Sequence, residues 1–203
     1  MDAATKSPRL DPLPPAHSPE LKAEFDSFFK SLGFVPNSVL TMQRKPKLVR
    51  AFVAMQGSIW DPESKVDRGF KRILAHLASR TAQDEYSMAH TASGALHFGV
   101  GEARLKEARN YKTSALYTPA EKAALDIAVA AGQVPNAVTD AMFVELRKHW
   151  SEEQIVEIVS AVAMAGFLAR WNTTMATPLE DEAREVGEKH LAAQGWTGGV
   201  HRR

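Results

Sequence analysis

Helix start and stop signals run along the whole chain, and strand signals are nearly absent. Thr118 and Glu121 form a capping-box pattern, and Gly132 ends the apolar stretch that follows it. Ser151 and Gln154 form a second such pattern, which opens the longest apolar stretch of the chain. The sequence therefore predicts an all-α protein, a helical bundle.

Shorter helices are predicted between these signals. "SPELKAEFDSFFKSLG" has Ser18 as N-cap and Gly33 as a stop, and the next region is predicted to break before Pro46. "DRGFKRILAHLASRTA" has an apolar stripe on one face and polar groups on another. "PLEDEAREVGEKHLAAQGW" is amphipathic and closes the chain.

One heptapeptide pattern occurs twice, as "GFVPNSV" at 33–39 and "GQVPNAV" at 132–138. In each copy Gly is predicted to end one helix, Val-Pro to force an extended step and Asn to cap the next helix. The repeat indicates a duplicated helical unit, although shared turn chemistry alone could produce it. We therefore predict one domain over 20–200, with units of about 20–115 and 116–200. Residues 1–19, which hold five prolines, are predicted to form an extended arm that lies over a neighbouring subunit.

Composition excludes several classes of function. The 25 Lys plus Arg residues are balanced by 24 Asp plus Glu, and no basic run is interleaved with aromatics, so nucleic acid is not expected as a partner. The polar start has no signal-peptide core, and no membrane association is expected, which makes the cytoplasm the default compartment. The chain has no cysteine, and this excludes disulfides, thiolate metal sites, cysteine nucleophiles and dithiol redox chemistry.

The segment "DEYSMAH" concentrates the candidate catalytic residues. His90 follows Tyr86 by four positions and Ser87 by three, so the three side chains can meet on one helix. An imidazole suits proton transfer at neutral pH, and a tyrosine hydroxyl can stabilise a developing anion. Asp84 is a further candidate, with the alternative that it is a helix N-cap. Packing roles for His90 and Tyr86 remain the alternative.

Candidate substrate-binding residues lie outside this segment. Arg72 and His76 are one turn apart on the polar face of their helix and could bind a carboxylate or a phenolate, unless that face is merely solvated. Trp171 and Asn172 could form a pocket wall, although a core tryptophan is the stronger alternative. No metal site is predicted, because the histidines lack the spacing of a ligand motif. A Ser-His-Asp triad is disfavoured, since all its members would lie within two helical turns.

The order of "GFVPNSV", "FKRILAHLASRTAQDEYSMAHTASGALHFGV", "QVPNAVTDAMF" and "WSEEQIVEIVSAVAMAGFLARWNTTMATPLE" resembles the carboxymuconolactone decarboxylase and alkylhydroperoxidase-D-like superfamily, above all its two-unit, peroxidase-related branch. In the peroxidase members the segment carries Cys-x-x-Cys before its His. The resemblance places Asp84 and Ser87 at those cysteine positions and Arg72 near the family's acidic proton-relay position. Glu157 is a candidate for supplying the acid instead. Neither Asp nor Ser can replace a redox-active thiol.

The resemblance implies two possible functions. One is a lyase without a cofactor or redox step, which cleaves a C–C bond of a carboxylated lactone or lignin-type aromatic and releases carbon dioxide or formaldehyde. In that case His90 moves the proton, and a polar pocket next to it admits a planar molecule. The other is a peroxidase-like protein that kept the fold but lost the chemistry. The resemblance also implies a homo-oligomer, a dimer, trimer or hexamer.

Overall fold

The computed structural model describes residues 8–202, which form ten α-helices and short 3₁₀ turns but no β-strand. The all-α prediction is thus confirmed. The helices are α1 (Lys22–Leu32), α2 (Asn37–Met42), α3 (Pro46–Ile59), α4 (Arg68–Thr81), α5 (Glu85–His97), α6 (Glu102–Glu107), α7 (Pro119–Ala131), α8 (Asp140–Arg147), α9 (Glu152–Met175) and α10 (Asp181–His190).

The predicted capping signals determine where the long helices begin. Thr118 and Ser151 each form a capping box. The hydroxyl of the Thr or Ser accepts from the backbone N–H three residues later, and the Glu or Gln side chain at that position accepts from the backbone N–H of the Thr or Ser. α1 ends at Gly33, whose φ of +84° is a left-handed conformation that glycine adopts without steric cost. Ser18 is the N-cap residue of the 3₁₀ turn that leads into α1, as predicted, but its hydroxyl makes no capping bond and donates to the Gln43 carbonyl at 3.4 Å.

α4 lies at the centre of the bundle and packs against α5, α7 and α9. Ten of its fourteen residues are buried, including Ile73 and Leu74, which are fully inaccessible. α9 is long and apolar enough, by length and composition, to cross a membrane. Because it packs against α3, α4, α5, α7 and α8, it has the contacts of a core helix. A second, smaller hydrophobic cluster joins residues of 21–52 to Met164 of α9.

The repeated heptapeptide adopts different conformations in its two copies. Gly33 is left-handed, whereas Gly132 has a φ of −72°. α2 begins at Asn37 itself, with Pro36 as N-cap, while α8 begins later and is capped by Thr139. The predicted Asn caps were therefore wrong in both copies. The division into two units remains a prediction.

The described part of the arm contacts its own chain. The Arg9 backbone N–H donates to the Met175 carbonyl at 2.9 Å, and its guanidinium donates to the carbonyls of Thr173 and Thr174. A cation at these carbonyls is favourable, because the last turn of a helix leaves them unpaired. The backbone N–H of Leu13 donates to the Leu40 carbonyl. Residues 1–7 of the predicted arm lie outside the described residues.

Candidate active site

Glu180 joins three elements of the fold at one carboxylate. His90 Nε2 lies 2.7 Å from its Oε2, and the Tyr86 hydroxyl donates to its Oε1 at 2.8 Å. The backbone N–H of Asn37, at the start of α2, also donates to Oε1. An ionised carboxylate only accepts hydrogen bonds, so His90 Nε2 carries a proton.

Local helix geometry accounts for this arrangement. Tyr86 and His90 are one turn apart on α5, and their rings stack with centroids 4.4 Å apart. Glu180 is the N-cap residue of α10, but its side chain makes no capping bond and turns toward α5 instead. Phe34 contacts the other side of His90, edge to face, at 5.9 Å.

The surroundings of Glu180 favour its charged form. Burial opposes ionisation, but the charge of His90 and the hydrogen bonds from His90, Asn37 and Tyr86 outweigh it, so the pKa of Glu180 lies below its ordinary value. The pKa of Tyr86 is raised well above its ordinary value, by burial first and then by the Glu180 charge. Tyr86 therefore stays a hydrogen-bond donor.

A second acid–histidine pair lies on the other side of Tyr86. His201 Nε2 is 3.6 Å from Asp84 Oδ1, and the ring of His201 is 5.7 Å from that of Tyr86. His201 Nδ1 is 2.8 Å from the Thr177 carbonyl, which only accepts, so Nδ1 is the protonated nitrogen. Burial raises the pKa of Asp84 and lowers that of His201, and both shifts favour neutral side chains.

Asp84 also has the capping role given as its alternative. Its Oδ1 accepts from the Ser87 backbone N–H at 3.3 Å, and it is the N-cap of α5. Ser87 accepts from Asn172 Nδ2 at 3.3 Å, which links α5 to α9. Two buried atoms near these groups, Asp84 Oδ2 and Thr177 Oγ1, have no hydrogen-bond partner among residues 8–202. Such unsatisfied groups are uncommon and cluster at functional sites.

A polar cleft of about 470 Å³ opens beside Glu180. Its lining residues are Asn37, Leu179, Glu180, Asp181, Arg184 and His201. The side chain of His90, behind Glu180, is 19% exposed, so it is not sealed in the core. The volume suits a small molecule.

Five of the nine predicted site residues come together here: Asp84, Tyr86, Ser87, His90 and Asn172. The other four contact different groups. His76 is 2% exposed, and its Nδ1 lies 3.1 Å from the Met88 carbonyl. Glu157 accepts from the backbone N–H groups of Lys65 and Val66.

Arg72 and Trp171 also contact groups other than the carboxylate of Glu180. The guanidinium of Arg72 lies over the Trp60 ring, at 3.7 Å from its centroid. Trp171 stacks on Phe167, next to the smaller hydrophobic cluster, and its buried Nε1 has no partner among residues 8–202.

Sequence reasoning missed Glu180, His201 and the backbone of Asn37. One signal was available for Glu180, because Asp, Asn, Ser and Thr are the usual N-caps and a Glu at that position invites another explanation. Asn37 lay in the repeated heptapeptide, whose role was sought in capping. No pattern in the sequence pointed to His201.

Comparison with known proteins agrees with this architecture. The profile of the carboxymuconolactone decarboxylase family matches residues 46–130. The crystal structure of the debrominase Bmp8 C82A in complex with 2,3,4-tribromopyrrole has a TM-score of 0.83 and 31% identity, covering 93% of this chain and 98% of that one. The chain belongs to the carboxymuconolactone decarboxylase and alkylhydroperoxidase-D-like superfamily. An uncharacterised peroxidase-related protein from Ralstonia eutropha JMP134 has a TM-score of 0.74 and 23% identity over 86% of this chain and 94% of its own. No curated protein sequence matches the chain.

Membership of this superfamily supports an enzymatic role. It does not carry the thiol chemistry of peroxidase members to this chain, which has no cysteine. Among residues 8–202 no group of three or more His, Asp or Glu side chains is placed to hold a metal ion. The groups joined around Tyr86 are two histidines and two carboxylates, and Asp181 and Arg184 also line the cleft.

Proposed function

We propose that this superfamily member is a non-redox lyase that needs no cofactor and cleaves a C–C bond of a carboxylated lactone or lignin-type aromatic. The observation that carries the proposal is the hydrogen bond between His90 Nε2 and Glu180 Oε2, at 2.7 Å. A histidine held by a carboxylate is a standard general acid–base device.

The pairing decides which nitrogen of His90 reacts. Nε2 is engaged with Glu180, whereas Nδ1 has no hydrogen-bond partner among residues 8–202. Nδ1 is therefore the nitrogen that exchanges a proton with substrate. Glu180 holds the ring in place through this hydrogen bond.

The chemistry balances without an electron donor. For an aromatic acid, His90 with both ring nitrogens protonated donates its Nδ1 proton to the ring carbon that bears the carboxylate. The C–C bond then breaks, its electron pair restores the ring and carbon dioxide leaves. For a hydroxymethyl aromatic, removal of the hydroxyl proton and protonation of the ring carbon release formaldehyde. Decarboxylation leaves His90 one proton short, and solvent replaces it. In the release of formaldehyde, the proton taken from the hydroxyl balances the proton given to the ring carbon.

Tyr86 supports the base in this scheme. Its hydroxyl is committed to Glu180 and its ring stacks on His90, so both contacts fix the dyad. Ser87 is one step further away, because its hydroxyl accepts from Asn172.

The test is turnover in metal-free buffer made with D₂O. Candidate aromatic acids and lactones are incubated with the protein, with His90→Gln and with no protein. We expect one deuterium at the carbon that loses the one-carbon fragment, with no reductant consumed. Turnover that His90→Gln fully retains, or that needs a stoichiometric reductant, would contradict the proposal.

Similarity to the debrominase favours a second candidate, dehalogenation of a small planar ring. Replacing bromine by hydrogen as bromide requires one proton and two electrons. The proton can come from His90, but the electrons must come from an external thiol, because the chain has no cysteine. Bromide release from 2,3,4-tribromopyrrole, with and without dithiothreitol, distinguishes this candidate from the lyase.

A further inference from the structure

Two arginines of α4 lie over the same aromatic ring, that of Phe98. Arg68 and Arg72 are one turn apart, and their guanidinium carbons lie 4.1 and 5.8 Å from the centroid of the Phe98 ring. Arg72 also lies 3.7 Å from the centroid of Trp60. We call Arg68 and Arg72, which are both partly buried and share the Phe98 ring, the arginine pair.

The arginine pair lacks a counter-ion. Among residues 8–202 neither guanidinium lies within 4 Å of a carboxylate, whereas the part-buried Arg104 is paired with Glu121. The Nε atoms of Arg68 and Arg72 are both buried and have no hydrogen-bond partner in the described part of the chain. Burial, and then the charge of Arg68, lower the pKa of Arg72 to about 10. Two buried donors and two adjacent cations without partners are costly unless a ligand satisfies them.

The arginine pair lies close to the candidate active site along α5. A Cβ at position 94 would lie only 3.0 Å from Arg72 Cδ and Nε. Because glycine has no Cβ, the Arg72 side chain can pass across α5 at this position. Gly94 is four residues after His90 and therefore on the same helix face. Arg72 therefore crosses α5 about one turn beyond His90, since four residues of an α-helix rise about 6 Å along its axis.

We propose that the arginine pair binds the carboxylate of a small planar acid, and that this is the acid group which the substrate keeps. Guanidiniums bind carboxylates through parallel N–H bonds, and the flanking rings of Trp60 and Phe98 suit a planar ligand. Two cations stabilise a carboxylate as an anion and oppose its departure as carbon dioxide. The carboxylate that the arginine pair binds is therefore not the one-carbon group that leaves, and the substrate carries both groups.

The assignment as substrate rests on the proposed lyase, but binding can be measured without turnover. The probes are benzoate, its neutral counterpart benzamide and inorganic phosphate, each titrated calorimetrically into the full-length protein. Arg68→Gln and Arg72→Gln remove one cation each. Arg170→Gln is the matched control, because Arg170 is exposed and its guanidinium bonds to the Gly166 carbonyl of its own helix and to no other group among residues 8–202.

We expect benzoate to bind and benzamide not to bind. Each arginine substitution should weaken benzoate about 10- to 100-fold, as expected for losing a hydrogen bond to a charged group. Arg170→Gln and His90→Gln should bind benzoate like wild type. Retained binding in His90→Gln together with lost turnover would support both proposals, whereas benzoate binding with no lyase activity on any candidate would reject only the lyase.

Three outcomes would overturn the arginine pair as a planar-acid site. One is no benzoate binding, and a second is equal loss in Arg170→Gln. The third is that phosphate binds as tightly as benzoate, which would show a plain anion site. If Arg68→Gln and Arg72→Gln lower the molecular mass in light scattering while benzoate does not bind, an acidic side chain of a second copy occupies the pair and the proposal fails.

Discussion

His90 and Glu180 lie 90 positions apart in the chain, and their side chains meet at 2.7 Å. The contact joins α5 to the start of α10 and turns an isolated helix histidine into an acid–base pair. It also distinguishes the two imidazole nitrogens, since Nε2 bonds to the carboxylate and Nδ1 has no hydrogen-bond partner among residues 8–202.

The first prediction ranks substitutions by their distance from the transferred proton. On a verified substrate, His90→Gln should lower kcat about 100- to 10,000-fold, the range of general acid–base catalysis. Glu180→Gln should cost less, Tyr86→Phe less again and Ser87→Ala least, because each acts through one more contact. Steady-state kinetics measure the order, with circular dichroism as the folding control.

Glu180 is a positioning residue in this ranking, and a separate readout checks that role. Glu180→Gln should lower kcat with KM nearly unchanged, and Glu180→Asp should recover part of the loss. Wild-type kcat in His90→Gln would reject the whole order.

The second prediction concerns Asp84, whose pKa burial raises. A carboxyl whose pKa is higher in the folded than in the unfolded state binds its proton more tightly when the protein is folded. Its contribution to the free energy of unfolding therefore falls as the pH rises above the unfolded pKa of about 3.9. Asn keeps the helix cap but does not titrate. Asp84→Asn should therefore gain stability relative to wild type between pH 4 and pH 7. Urea unfolding at both pH values measures the difference, and the opposite trend would contradict the buried, proton-holding Asp84.

The third prediction concerns His76, whose pKa burial lowers from 6.5 to about 4. Below about pH 6.5 the unfolded chain protonates this histidine, while the folded state keeps it neutral. Its contribution to the free energy of unfolding is therefore present above about pH 6.5 and is lost as the pH falls toward 4. The loss is of the order of 3 kcal/mol at about 1.4 kcal/mol per pKa unit. His76→Gln should unfold with a weaker pH dependence over this interval. His17→Gln, at an exposed position, is the control and should match wild type.

Sequence reasoning predicted the helices well, because their signals are local. Capping boxes at Thr118 and Ser151 and the glycine stop at Gly33 depend on residues within one turn. The same reasoning found the α5 side of the site, Tyr86 and His90. It missed Glu180 and His201, which reach α5 only through the tertiary fold, from 90 and more residues away. It predicted that Asn37 caps a helix, whereas in the structure the backbone N–H of Asn37 donates to the Glu180 carboxylate.

The fourth prediction follows from the missing cysteines. Positions 84 and 87, where the resemblance to peroxidases places the cysteines, hold a helix cap and a buried hydroxyl. Neither group can form a sulfenic acid or resolve one. The protein should show no peroxide reduction above background with dithiothreitol, thioredoxin or lipoamide. Saturable peroxide consumption that depends on the protein would contradict this.

The fifth prediction is a homo-oligomer, which we propose from the resemblance and from the apolar face of α9. Val156 and Val159 are 64% and 39% exposed and lie less than one turn apart on α9, a helix with eight buried residues among its 24. Exposed apolar surface of this kind is typical of contacts between subunits. Light scattering at micromolar concentration should therefore give a multiple of 22.3 kDa.

Charge on the α9 face should break that assembly. The double substitution Val156→Glu and Val159→Glu should lower the mass, because association would bury two carboxylates without partners. Val134→Glu is the matched control, since Val134 is 80% exposed in the loop before α8 and should leave the mass unchanged. A single 22.3 kDa species in the wild type would reject the oligomer itself. A mass that falls equally in Val134→Glu would show that added charge, rather than loss of the α9 face, dissociates the subunits.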